Sequence, residues 1–229
     1  MRTPVEQGSA MSGDDPATTA EPEDDEPGDG AVEPAGVGRL LAFSDGVFSI
    51  AFTILVLDIA VPDDLSPAGL RNALAGQVPQ LLSALLSFAV IGRFWVSHHD
   101  MLRQVRGADA GLLVVNTALL AAVALIPFTT SLLAEYGDLV EPTVYYAGMV
   151  AITAALQLVM LWWITRRGLL LPGTPRSSLE AAAGGLGSSV MAFVVSIPVA
   201  FASTTAAQLC WLLAFVPLAP LLRRLRPAR

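Results

Sequence analysis

The chain has no lysine; all 13 of its basic residues are arginine. It has a single cysteine, Cys210, so no disulfide can close within it. Its only two histidines are neighbours, His98 and His99. Adjacent side chains on a helix diverge by about 100°, whereas helical metal pairs sit four residues apart. No metal site is expected. Charged residues make up only 14% of the chain, against about 25% in a soluble domain. Neither a Ser-His-Asp arrangement nor a Walker or glycine-rich phosphate loop occurs in a setting that would use it. The sequence therefore predicts no enzyme, no cofactor and no nucleic-acid partner.

What is abundant is apolar: 54% of the residues are hydrophobic, and the mean hydropathy is +0.61. These values predict an integral membrane protein with the lipid bilayer as its surroundings. The net charge of −7 belongs to one end, because ten of the 20 acids lie in residues 1–38. That segment is rich in Pro, Gly, Glu, Asp and Thr, and too poor in large apolar residues to bury a core. It is expected to be a disordered acidic tail. It lacks the basic start and apolar stretch of a signal peptide. Without it and its Arg2, 10 acids face 12 arginines.

Six apolar segments follow, at about 39–61, 74–97, 111–134, 143–165, 179–201 and 206–222. A transmembrane helix needs about 20 residues, so the expectation is an all-α, polytopic protein of six transmembrane helices. Pro127, Pro198, Pro217 and Pro220 lie inside these segments, and interior prolines kink membrane helices without excluding them. No internal repeat is evident. The chain thus divides into a tail (1–38), one six-helix membrane domain (39–222) and a basic end (223–229). Arginines concentrate before the first segment (Arg39), between the second and third (Arg103, Arg106), between the fourth and fifth (Arg166, Arg167, Arg176) and after the sixth. The other loops hold only Arg71. By the positive-inside rule both termini are expected in the cytoplasm.

The first segment carries the most information. With Ile50 at 0° on a wheel of about 100° per residue, Thr53, Ile54 and Leu57 fall within about 60° of it, Asp58 at about 80° and Asp45 at about 220°. One face is aliphatic with a single hydroxyl, and the acid points away from it. An ionisable group inside a span is a functional candidate by default, and when buried it needs a partner. With the orientation above, Arg39, Ser44, Asp45, Arg93, Trp95, His98, His99 and Asn116 share one depth near the inner end. They are expected to form an interhelical polar network, with Asp45 and Ser44 reaching His98, His99 or Arg93, and Asn116. That network serves either packing or, since histidine titrates near neutral pH, gating. The Ile50 face on spacing alone suits lipid or a neighbouring helix as readily as a pore. Asp58, Asp63 and Asp64 follow at the outer end, either concentrating cations at a mouth or opening a solvated loop.

Arg39, Phe43, Ser44 and Asp45 form R-x-x-x-F-S-D at the head of the first span. This resembles the signature of the endolysosomal and bacterial potassium-channel family called transmembrane protein 175. Ser49-Ile50-Ala51-Phe52-Thr53 resembles that family's pore-lining segment, and Trp95-x-x-His98-His99 its second-helix motif. The phenylalanine usual after the histidine pair is replaced here by Met101 or Leu102. The resemblance implies a potassium channel, leak-like and weakly selective over sodium. It implies a constriction at Ile50, a selectivity layer at Thr53, and further apolar layers at Ile54 and Leu57. Vertebrate members carry two such six-helix repeats and pair as dimers, so one repeat implies a homotetramer with the first helix of each copy around the axis. Arginine-only basic residues with much Ala, Gly and Pro suit a GC-rich bacterial genome, and hence a multi-pass protein of the bacterial plasma membrane. Apolar rings can close such a pore by dewetting. The rival expectations are a proton-permeable channel, a proton-coupled secondary transporter that uses Asp45 and the histidines as a relay, or a membrane scaffold.

Overall fold

The structure, a computed structural model, describes residues 34–57, 59 and 66–215. Asp58, Asp63 and Asp64, the expected acidic tail up to residue 33 and the basic end 223–229 lie outside the described residues.

Seven α-helices and one short 3-10 turn make up nearly all of what is described. Helix α1 spans Pro34–Leu57. It begins before Arg39, so residues 34–38, expected in the tail, are helical. Proline suits the first helical turn because its missing N–H would have no partner there. Val37 and Leu40 then bury themselves on the same side as Ser44 and Phe48, and this packing carries the helix back past the arginine.

Helix α2 spans Pro67–Gly76 and α3 spans Val78–Leu102. Ser66 caps α2, its Oγ accepting from Gly69 N at 3.1 Å, with Pro67 in the first turn. Gln77 separates the two helices, and Pro79 opens α3. The second expected segment, 74–97, therefore belongs to a longer apolar run, Gly69–Leu102, that starts earlier and ends later.

Helices α4 (Ala110–Tyr136), α5 (Val140–Arg166) and α6 (Arg176–Ala200) follow as membrane-length antiparallel neighbours. Helix α7 (Thr204–Trp211) continues as a 3-10 turn to Phe215. Of the sixth expected segment, the part up to 215 is thus a short apolar helix, and 216–222 lies outside the described residues.

Among the described residues five helices are long and apolar enough to cross a membrane. Their outward faces are apolar too: Leu82, Leu85, Phe128, Tyr145, Ile152 and Met191 are all exposed. A helix apolar all round is what lipid requires. Polar groups face inward instead, where they meet each other. Ser87 Oγ lies 2.7 Å from Thr130 Oγ1 and donates to Tyr146 Oη at 3.0 Å, tying α3, α4 and α5. Gln157 Nε2 donates to the Phe94 carbonyl at 2.8 Å. Phe193 stacks on Trp211, with Tyr146 tilted against them, where α5, α6 and α7 meet, and Trp211 Nε1 donates to Ser196 Oγ at 2.8 Å. The molecule is an all-α, polytopic membrane protein.

The ends of the hairpins on the arginine-rich side are joined. An antiparallel bridge between Val105 and Leu170 ties the α3–α4 loop to the α5–α6 loop, with Arg106 N donating to Leu169 O (2.9 Å) and Leu171 N to Gln104 O (2.8 Å). Gly168 and Gly173, at φ of +64° and +84°, supply the left-handed turns that the α5–α6 loop needs. Beside the bridge, Asp109 caps α4 through Leu112 N at 2.7 Å. Its carboxylate also accepts from Trp163 Nε1 at 2.9 Å and from Arg167 Nε at 3.2 Å. Arg167 in turn lies over the Trp163 ring. Gly111 makes room for this: a Cβ there would collide with the Trp163 indole. Burial raises the pKa of Asp109, but the bonds from Leu112, Trp163 and Arg167 and the arginine's charge outweigh it. The net shift is below the ordinary aspartate value.

Candidate functional site

Among the described residues helix α1 packs chiefly on α3 and α4, and this fixes what each of its residues can do. Leu40, Ser44, Phe48, Ala51 and Leu55 recur at helical spacing and are buried against those two helices. The opposite face is open. Ile50 is 60% exposed, Ile54 37% and Leu57 77%, with Phe43 and Val56 beside them. Thr53 is exposed on the same face. Its hydroxyl donates to the Ile50 carbonyl at 2.8 Å. The proton is thereby directed into the backbone, and the oxygen lone pairs are left on the open side.

The polar residues of the inner end divide into two groups. One residue of separation turns Ser44 and Asp45 about 100° apart, and each finds a different neighbour. Ser44 is fully buried. It accepts from Asn116 Nδ2 at 3.1 Å and donates to its own helix at Leu40 O, at 2.8 Å. Asn116 spends its amide protons on Ser44, so its Oδ1, 2.7 Å from His98 Nε2, is an acceptor. His98 Nε2 must then carry the hydrogen. The chain runs His98 to Asn116 to Ser44 to the Leu40 carbonyl, crossing from α3 through α4 to α1. His98 also lies against Phe48, 5.4 Å between ring centroids. The other nitrogen of His98, Nδ1, is buried with no partner among the described residues.

Asp45 is on the half-open side. Trp95 Nε1 donates to its Oδ1 at 2.8 Å, and His99 Nδ1 lies 3.4 Å from the carboxylate. His99 and Trp95 also lie ring against ring. Hence adjacent His98 and His99 serve separate clusters, one buried and one half-open.

Two residues grouped with these by depth do not join them. Arg93 turns to α6, where its Nη2 donates to Gly185 O at 2.7 Å and its Nε to Ser189 Oγ at 3.4 Å. Arg93 is therefore not a partner of Asp45. On α3 it lies about 160° round from Trp95, which holds Asp45. Arg39 is exposed on α1 and takes part in no ion pair among the described residues. Sequence reasoning missed Gln157, the Ser87–Thr130–Tyr146 cluster and the Asp109–Trp163–Arg167 clasp. Only the last had a signal, an aspartate directly before an apolar helical run. Among the described residues no group of three metal-ligating side chains forms.

Known proteins resemble this chain across both the face and the network. Residues 39–127 match the model of the family described as endosomal/lysosomal potassium channel TMEM175. A potassium channel of Streptomyces collinus is 41% identical over 162 residues, covering 66% of this chain and 78% of that protein. The human endosomal/lysosomal proton channel TMEM175 is 34% identical over 103 residues, 42% of this chain but 20% of that protein. The crystal structure of a lysosomal potassium-selective channel TMEM175 homologue from Chamaesiphon minutus superposes with a TM-score of 0.69 at 31% identity. It covers 79% of this chain and 95% of that one. A polytopic helical protein with these relatives is an ion channel of the membrane. The chain belongs to the TMEM175 family.

Proposed function

We propose that this channel conducts potassium, weakly preferred over sodium, through a pore lined by α1 of four identical subunits. The observation that carries the reading is the division of α1. One face is buried against α3 and α4 through Ser44, Phe48 and Leu55, while Ile50, Thr53, Ile54 and Leu57 form an open face in the single chain. Four such faces around an axis would set Ile50 as an apolar ring, with Thr53 one turn outward of it. Aliphatic rings hold back water and ions. The Thr53 oxygens, with their protons held by the Ile50 carbonyls, would offer lone pairs in place of part of an ion's hydration shell. Ile54 and Leu57 would form further apolar layers. Potassium as the conducted ion rests on the names of the bacterial relatives. The buried chain from His98 to Ser44 and the Asp45–Trp95–His99 cluster hold α1 at its angle to α3 and α4. In this reading both termini face the cytoplasm of a bacterial cell, whose plasma membrane the channel spans.

A second reading, proton permeation, is favoured by the name of the human relative, a proton channel. Flux into liposomes holding the purified protein tests both. Potassium flux exceeding sodium flux, and rising in Ile50→Asn, is the expected result. Lowering the dewetting barrier by about 1.4 kcal/mol suffices for about a tenfold rise. Unchanged flux in Ile50→Asn removes that residue from the constriction. Proton entry without potassium flux selects the second reading.

A further inference from the structure

Five exposed arginines at one end of the bundle have no carboxylate partner among the described residues: Arg39, Arg103, Arg106, Arg166 and Arg176. Arg166 lies over the exposed Trp162 ring, on the outer face of α5. The other four belong to the end of the bundle itself. The Val105–Leu170 bridge fastens the α3–α4 loop, which carries Arg103 and Arg106, to the α5–α6 loop, which leads into Arg176. Beside the bridge, Ser178 Oγ donates to Gln104 Oε1 at 3.0 Å. Arg103 precedes one partner of that bond and Arg176 stands just before the other, so the two loops form one basic platform.

Arg39 reaches the same level from α1. Ser44, Asn116 and His98 are bonded in series and mark one depth. From that depth Arg39 and Arg103 are each five residues nearer the arginine-rich end, about 8 Å at about 1.5 Å per residue. Pro34, where α1 begins, is ten residues from Ser44, or about 15 Å. The chain therefore enters α1 from just beyond the platform.

The platform is not neutralised from within. Asp109 is taken by Arg167, and Asp100 and Glu180 are exposed at the same end without pairing to any of the five arginines. Immediately before Pro34 the sequence holds the opposite charge: residues 21–33 contain seven carboxylates and no basic residue. Those 13 residues reach at most about 45 Å, several times the helix diameter of about 10 Å. Joined to α1 at this distance, they have an effective concentration on the order of millimolar at the platform. One exposed ion pair contributes little, but several on a single tether act together.

We propose that the acidic segment 21–33 covers this platform, its carboxylates meeting Arg39, Arg103, Arg106 and Arg176. An anionic lipid headgroup is the rival occupant. It suits Arg166, stacked on the outer face, better than loops that close the end of the bundle. The contact is independent of which ion the channel carries.

The absence of lysine makes the test specific. A carbodiimide joins a carboxyl group to an amine that touches it, and the chain offers no side-chain amine of its own. Arg106→Lys and Arg176→Lys each introduce one, and Arg71→Lys introduces one at the opposite end as a control. The full chain is treated in phosphatidylcholine nanodiscs, and peptide mass spectrometry identifies the joined residues. Both platform variants should couple to carboxyls of residues 21–33, and Arg71→Lys should not. Raising the ionic strength from about 0.1 to about 1 M shortens the Debye length from about 10 to about 3 Å and should remove most of that coupling. Coupling to Asp100 or Glu180 alone overturns the proposal, as does equal coupling at Arg71→Lys or coupling indifferent to salt. Coupling that vanishes in phosphatidylglycerol nanodiscs overturns it in favour of the headgroup. Coupling at Arg226→Lys but at neither platform position overturns it in favour of the basic end. The readout is a covalent contact, so a failure here is distinct from an absence of ion flux.

Discussion

At the scale of the residue, the buried chain from His98 to Leu40 O is a sequence of single donors matched to single acceptors. Asn116 is the member that cannot be replaced by an apolar residue of similar size without orphaning two others. Asn116→Leu leaves His98 Nε2–H with no acceptor and removes the donor to Ser44, at sites 1% exposed or less. An unsatisfied buried polar group costs about 1–3 kcal/mol. The variant should therefore melt below the wild type in a detergent thermal-shift measurement. An unchanged midpoint would mean that Asn116 contributes no net stability. The wheel of α1 alone separates Asp45 from the Ile50 face, as the structure does. Which partner each of Ser44 and Asp45 would find was not legible, because it depends on the rotation of α3 and α4 against α1. Arg93 shares the depth of that cluster but not its side of α3, and depth without rotation does not separate it from Trp95, about 160° away.

At the scale of the element, the start of α4 is held by one carboxylate with three donors. The cap and the Trp163 bond outrank the Arg167 pair, because Arg167 is exposed and surface ion pairs contribute little. Asp109→Ala should therefore destabilise by about 1 kcal/mol, the ordinary worth of a cap, whereas Arg167→Gln should cost less. The pH dependence has a definite sign. The carboxyl's pKa is depressed in the folded state, so its stabilisation is present above the unfolded aspartate value of about 3.9. It is lost as pH falls through the lower folded value. The gap in melting temperature between wild type and Asp109→Ala should be constant near neutrality and should close only in acid below the usual carboxylate range. A gap that closes near neutrality would mean that another group carries the dependence. The existence and apolar character of the spans were legible from composition. Helix α2 was not anticipated, although Ser66-Pro67 is a start signal of the ordinary kind. The isolated bridge between Val105 and Leu170 has no local signature at all, since it is made by backbone atoms of two loops far apart in the chain.

At the scale of the whole molecule, the open face of α1 demands a neighbour or lipid. With only Cys210 to remove, the chain suits cross-linking. In a Cys210→Ser background, a cysteine placed at Leu57 should form disulfide-linked dimers on oxidation in the membrane if copies of α1 converge on an axis. A cysteine placed at Met191, exposed on α6, should not. Equal cross-linking at the two positions, or none at Leu57, would argue against a central α1. The five long spans of the described residues were legible in hydropathy. The number of copies was not, because symmetry resides in surfaces that one chain leaves uncovered.

The hydroxyl of Thr53 has one further consequence. Its proton is held by the Ile50 carbonyl, so a ring of these side chains would present neutral oxygens and no carboxylate. Calcium and magnesium surrender their water only to several oxygen ligands, usually including carboxylates. A divalent ion would find nothing there to compensate for its lost hydration. A pore of this construction would let such ions neither lodge nor pass, and millimolar calcium on either side should leave the monovalent current unblocked.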